Sequence, residues 1–294
     1  ETIDMVRQQK VNQEVNLLDR SCLAAGAMYR RSCFQEIGGY DEMLERQEDY
    51  DFWIRFIERF RVYNVQVPLF YYRRHGSSMS TNTDKRTQAR REVKRRFVRQ
   101  HRDLDQQEVL LVLPIVAANR YRNRLPLAEM KGRPVMSYAI EQAKGVTSAN
   151  RIIVDTEDPH IAAVAEEYGL EVPFLRDRSL ADITTGTTTA LRSLVAQLGA
   201  VEDYRPDIIL TMSYNHPFVR SDHVEEALHS LSLFDCDSVI GVGLNIRNHY
   251  QPGEEGLKPV LYPPQMVTEQ KWQTYEERGG LCAFWTENLL GPNH

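Results

Sequence analysis

The chain has 294 residues, 42% of them apolar and 26% charged, with a formal net charge of −5. That length suggests about two domains, and that composition suits a globular chain able to bury a real core. The slight negative charge argues against a general nucleic-acid-binding surface. The longest apolar run, Val109 to Ala118, is interrupted by Pro114 and falls well short of the ~18 residues that a spanning helix needs. The four cysteines form no Cys-x-x-Cys pair, which fits a reducing cytoplasm better than a disulfide scaffold. The chain opens on Glu1 without a basic-then-apolar leader and reads as a segment of a longer polypeptide.

In chain order, Gly38-Gly39 predicts a turn that side chains bearing a Cβ would resist. Glu48 and Asp49 then open an aromatic-rich helix, where carboxylates suit the positive end of the dipole. Such an acid serves either as a helix-terminal charge or as a base toward a hydroxyl. Nine Lys/Arg against one acid lie between Lys85 and Arg102, and the segment 87–102 predicts a helix with Val93, Phe97 and Val98 on its apolar side. Its basic face is either plain solvated surface or a contact for RNA or an anionic membrane. The polar stretch 103–108 then sets a domain boundary near residue 105, giving domains 1–105 and 106–294.

Beyond it, strand and helix patterns alternate. Strands are predicted at 109–114, 151–155, 207–212 and 238–242. Helices are predicted at 137–144, 159–168, 188–198 (ending at Gly199) and 223–233, with an extended piece at 171–174. This order predicts an α/β fold, Rossmann-like, with βαβ units around a mostly parallel sheet and ligands at the carboxyl ends of its strands. The segment after Pro114 carries Arg120, Arg122 and Arg124 at alternate positions, either as a solvated basic turn or as a phosphate cradle. His216 and His223 flank a candidate pocket, and no metal triad is visible.

Two strings go further. Leu23 to Arg31, Gly38-Gly39-Tyr40-Asp41-Glu42, Glu48-Asp49 and Tyr72-Arg73-Arg74-His75-Gly76-Ser77-Ser78 together resemble the acceptor-side half of family 2 glycosyltransferases of the GT-A fold. The resemblance covers about residues 20–82. It implies that Asp49, beside Glu48, is the catalytic base and that His75 lies near the donor diphosphate and a metal ion. The Asp-x-Asp half that binds the donor in that family has no counterpart before Glu48, so a partial GT-A segment is implied.

The second string, over about residues 108–290, resembles the CMP-sialic acid synthetase group of cytidylyltransferases. Its carriers are Gly132 to Ile140, Ile153 to Asp158, Ala165 to Arg176, Leu180-Ala181-Asp182, Pro217 with Arg220, and Gly279 to Phe284. The resemblance implies attack of a sugar-acid hydroxyl on CTP, with Mg²⁺ or Mn²⁺ neutralising charge. It implies nucleotide contacts from Asn119, Arg120, Arg124, Arg176 and Asn215, and a homodimer through the C-terminal domain. The family's loop Arg falls on Val116, its glycines on Ala117 and Ala118, and a metal-binding Asp on Asn215. Added methyl groups obstruct a phosphate, and an amide binds Mg²⁺ less well than a carboxylate.

Two functions are therefore expected. One is an enzyme of glycan assembly, a glycosyltransferase joined to a CMP-nonulosonate synthetase-like domain and handling CTP or a sugar nucleotide, a sugar acid or glycan. The other is a catalytically inactive dimerising scaffold that positions a glycosyltransferase.

Overall fold

A short helix, α1 (Arg31–Ile37), ends because Gly38 and Gly39 take left-handed backbone angles, φ +92° and +76°. A Cβ on Gly39 would lie 3.0 Å from the Phe34 ring, so glycine is required there. The computed structural model describes residues 27–63, 83–117, 124–182, 186–245, 249–253, 256–260 and 274–290. It divides into one unit of Glu1–Gln107 with Leu228–Asp237, and a second of Glu108–Ala227 with Ser238–His294.

In the first unit, α2 (Glu48–Ile57) buries Tyr50, Phe52, Trp53, Ile54 and Phe56. Tyr50, Trp53 and Ile54 pack with Val93, Phe97 and Val98 of α3 (Thr83–His101), and with Leu233. The apolar stripe expected on the basic helix is thus its packing face. The helix starts four residues before the expected Thr87, and Asp84 places an acid in its first turn.

The second unit is an α/β fold. Its elements are β1 (Val109–Pro114), β2 (Glu129–Met130), β3 (Arg133–Pro134), α4 (Val135–Lys144), β4 (Arg151–Asp155), α5 (Pro159–Glu167), α6 (Thr187–Glu202), β5 (Ile208–Met212), the first half of α7 (Ser221–Phe234, whose residues from Leu228 onward belong to the first unit), β6 (Ser238–Asn245), β7 (Tyr250–Gly253), β8 (Gly256–Pro259), β9 (Thr274–Trp285) and α8 (Thr286–Leu290). The main sheet has the order β4-β1-β5-β9-β6. β1 lies parallel to both β4 and β5, with Leu111 opposite Ile152 and Leu210. β9 runs antiparallel to β5 and to β6, so four of the five strands point the same way. Residues 109–113 of β1 are wholly buried, as a parallel strand covered on both faces requires. Against the sheet, α6 lays Leu191, Leu194, Val195 and Leu198 at helical spacing, on Leu110, Val112, Ile153 and Ile209.

Two expectations are corrected. α6 does not stop at Gly199 but continues to Glu202, closing at Asp203 with φ +52°. One interior glycine costs about 1 kcal/mol, less than the apolar face that the helix buries. The sheet also contains β9, which the strand patterns did not reveal. Its run Glu276-Glu277-Arg278-Gly279-Gly280 is polar and glycine-rich.

Candidate functional site

The parallel strands deliver their following segments to one end of the sheet. β1 ends opposite the last residue of β4, with Pro114 paired to Asp155. The Ile115 N–H then donates to the Asp155 carbonyl at 3.0 Å. Next, the Ala117 N–H donates to Glu157 Oε1 at 2.9 Å, while Glu157 Oε2 is buried without a partner. On the return, the Arg124 N–H donates to the Ala117 carbonyl at 2.8 Å, and Arg124 holds a left-handed φ of +55°. Its guanidinium Nε lies 3.2 Å from Asp158 Oδ2. Ala117 is therefore bonded through both its backbone groups, and the 156–158 turn touches both sides of this neck.

Asp158 is also the N-cap of α5, accepting from the His160 N–H at 2.8 Å. Burial opposes its ionisation, but the His160 amide and the Arg124 charge together hold its carboxyl below the ordinary aspartate range. Asp155, 3% exposed, is met by Arg176, whose Nε donates to Oδ2 at 3.0 Å and whose terminal nitrogen touches the same oxygen. The Arg176 N–H also donates to the Thr156 carbonyl at 2.8 Å. Expected as a nucleotide contact, Arg176 is placed in a buried ion pair.

At the end of β5, the Ser213 N–H donates to the Gly280 carbonyl at 2.8 Å, tying this segment to β9. Tyr214 is buried and Asn215 exposed, and the Asn215 N–H donates to Ser213 Oγ at 3.3 Å. The His216 ring fills the space left open by Gly279 and Gly280, whose φ values are +64° and +76°. Arg220 forms a two-bond pair with Asp222, at 3.0 and 2.8 Å. Among the described residues, no group of three or more His, Cys, Asp or Glu side chains could hold a metal ion. With Asn215 a neutral amide and Asp155 committed to Arg176, these donors do not fit Mg²⁺ or Mn²⁺.

Glu48 and Asp49 belong to the other unit and stand in the first turn of α2. The Tyr50 N–H donates to Asp49 Oδ1 at 2.8 Å. The preceding glycine turn is tied to this helix by Arg55, which donates to the Ile37 and Gly39 carbonyls at 2.9 Å each and to Asp51 at 2.6 Å. Asp41 accepts from the Met43 N–H and from Arg96, both at 2.9 Å, and these bonds hold its carboxyl below the ordinary range.

Of the expected site residues, the structure brings Arg124 and Arg176 to the 155–158 turn, and Asn215 to the end of β5. His75, Asn119 and Arg120 lie outside the described residues. Sequence reasoning missed Glu157 and Arg55. An acid two residues past a strand end, at the level of a phosphate-type turn, was the available signal for Glu157; Arg55 carried none.

Residues 123–240 match the family model described as Cytidylyltransferase. The chain is 24% identical to pseudaminic acid cytidylyltransferase of Campylobacter jejuni subsp. jejuni serotype O:2 over 118 residues, 40% of this chain and 50% of that protein. It is 26% identical to CMP-N,N'-diacetyllegionaminic acid synthase of Legionella pneumophila subsp. pneumophila over 186 residues, 61% of this chain and 80% of that protein. A solved structure of CMP:2-keto-3-deoxy-manno-octonic acid synthetase complexed with CTP has a TM-score of 0.48 at 15% identity, over 62% of this chain and 76% of that one. The chain spans half the length of the first of these relatives.

Proposed function

We propose that the second unit is a cytidylyltransferase that binds CTP at the carboxyl ends of β1, β4 and β5 and passes CMP to a sugar acid of the nonulosonate or Kdo type. The hydroxyl oxygen of the sugar acid forms a bond to the α-phosphorus, the bond to the β-phosphate bridge breaks, pyrophosphate leaves, and the hydroxyl proton passes to solvent. The observation that carries this reading is the cytidylyltransferase match, which spans the strand-end turns at 155–158 and 213–220. Arg124 stands at the neck of the β1 segment, where an arginine suits a phosphate. CTP chemistry fits a cytoplasmic protein, and no described helix is long and apolar enough to cross a membrane.

Calorimetric titration of the chain with CTP, with and without Mg²⁺, tests the reading, followed by pyrophosphate release in the presence of sugar acids. Micromolar binding and sugar-dependent release are expected. Silence at millimolar CTP overturns it and leaves the scaffold reading.

That second reading has its own support. By the resemblance to the CMP-sialic acid synthetase group, the family's loop arginine falls on Val116 and its glycines on Ala117 and Ala118, and the added methyl groups weaken a phosphate site. The edge strand β6 exposes Ile240, Val242 and Leu244, at 45, 44 and 50%. Apolar side chains at alternate edge positions favour a homodimer through this unit. A sedimentation measurement showing a monomer at micromolar concentration would remove that element. For the first unit we propose acceptor-side glycosyl transfer with Asp49 as base. Its support is the carboxylate in the first turn of α2 and the braced glycine turn before it. Retained transfer in Asp49→Asn, measured in a polypeptide that carries a donor-binding half, would dismiss this assignment.

A further inference from the structure

We infer that the neck formed by Ala117 and Arg124 is an anion site already occupied by the protein's own carboxylates, and that Glu157 competes there with an incoming phosphate. The inference rests on the cytidylyltransferase reading of this unit and adds a resident competitor to it.

A segment leaving a parallel strand at the carboxyl edge offers backbone N–H groups and cations to a phosphate. Among the described residues of this segment, the groups suited to that task are the Ala117 N–H and the Arg124 guanidinium. Both face an acid: Ala117 donates to Glu157 Oε1 at 2.9 Å, and Arg124 Nε lies 3.2 Å from Asp158 Oδ2. The two acids are neighbours on one turn, so the chain sets two negative side chains against the two donors of the neck.

The two acids are not equivalent. Asp158 is built into the fold: it caps α5, is 7% exposed at its side chain and accepts from the His160 amide. Glu157 is poorly accommodated. One of its oxygens has a single amide partner, and the other is buried with none. A buried carboxylate oxygen without a donor carries an uncompensated desolvation penalty. A phosphate displacing Glu157 would take over the Ala117 N–H and return an unsatisfied charge to water. The displaced carboxylate still repels the ligand beside it, so only a ligand with enough acceptor oxygens to meet both the Ala117 N–H and the Arg124 guanidinium offsets that repulsion, and a weak monoanion does not. Glu157 sets a threshold of charge for entry, and Asp158 keeps Arg124 in place beneath it.

The test uses the whole chain and inorganic pyrophosphate as the probe, with CTP as a second ligand. Glu157→Gln keeps the shape and an acceptor for Ala117 but removes the charge. Glu166→Gln, on the exposed side of α5, makes the same change in net charge away from the neck. Pyrophosphate affinity is expected to rise at least about threefold in E157Q, as an opposing charge within contact distance is removed, and to stay unchanged in E166Q. Should E157Q fail to fold cooperatively, Glu157→Asp, which keeps the charge but falls one methylene short of Ala117, is expected to gain affinity in the same direction. Unchanged or weaker pyrophosphate binding in the folded variant overturns the competition. The two readings fail separately: CTP binding to the wild-type chain with no gain in E157Q sinks the competitor alone. Failure of CTP to bind either chain sinks the nucleotide reading as well.

Discussion

The Arg176 guanidinium lies against the Asp155 carboxylate at the carboxyl end of β4, with only 7% of the arginine and 3% of the aspartate side chain exposed. Such a pair adds little over a well-packed apolar pair, but losing one partner strands the other charge in the interior. Arg176→Ala is therefore expected to cost about 3–5 kcal/mol in urea unfolding. Arg176→Met combined with Asp155→Leu is expected to cost less than either single removal. If Arg176 were instead a nucleotide ligand, Arg176→Ala would weaken CTP binding at nearly unchanged stability.

A comparison of two glycines isolates packing from backbone strain. Gly38 and Gly280 both have positive φ, +92° and +76°. A Cβ on Gly38 meets nothing within 4 Å, whereas one on Gly280 lies 3.1 Å from Val219 Cγ2 and 3.2 Å from His216 Cγ. Gly38→Ala is expected to cost about 1–2 kcal/mol from the backbone alone. Gly280→Ala must in addition displace the His216 segment at the end of β5, and is expected to cost more. Equal unfolding midpoints for the two variants would remove the packing argument.

What could be read from the sequence follows from the range of the interactions. β1 and the Leu191–Leu198 face of α6 are local patterns in apolar residues, and each announces its own burial. The Gly38-Gly39 turn is legible for the same reason, since the requirement sits on the residues themselves. β9 was hidden because its partners β5 and β6 are distant in sequence, and because its bulge opposite Ile240 and Val242 breaks any alternation. The site divides in the same way. Arg124 announced itself as a cation after a strand. The commitment of Arg176 to Asp155 depends on two segments meeting in space, 21 residues apart, and residue type alone does not reveal it.

Glu225 supplies a pH-dependent tie. Its carboxylate accepts from the Thr147 N–H and Oγ1 at 2.6 and 3.0 Å, and from the Ser148 N–H and Oγ at 3.0 and 2.6 Å. Burial opposes ionisation, but these bonds prevail and hold the carboxyl below its ordinary value of 4.5. A depressed folded-state value means that the stabilisation is complete above 4.5 and is lost as pH falls through the folded-state value. Glu225→Gln is expected to be less stable than wild type at neutral pH, with the gap closing on acidification below 4.5. A gap independent of pH would show that the charge is not what binds the 147–148 turn.

Arg55 offers the sharpest test of the first unit. One guanidinium spans the Ile37 and Gly39 carbonyls and Asp51, so it joins the C-terminal turn of α1 to α2 through a planar fork. A lysine ammonium is a point donor without that fixed geometry and cannot reach both carbonyls and the carboxylate together. Arg55→Ala is expected to cost about 2–3 kcal/mol, since bonds to a partly buried charged group are lost. Arg55→Lys should recover less than half of that loss. Because α2 is held by the burial of Tyr50, Phe52, Trp53, Ile54 and Phe56, and alanine and lysine both suit a helix, α2 itself should persist in both variants, with helical circular dichroism retained. Amide exchange should quicken at Gly38 and Gly39, whose N–H groups close α1 onto the Gln35 and Phe34 carbonyls. Full recovery of stability by lysine would mean that the charge, and not the fork, braces the turn.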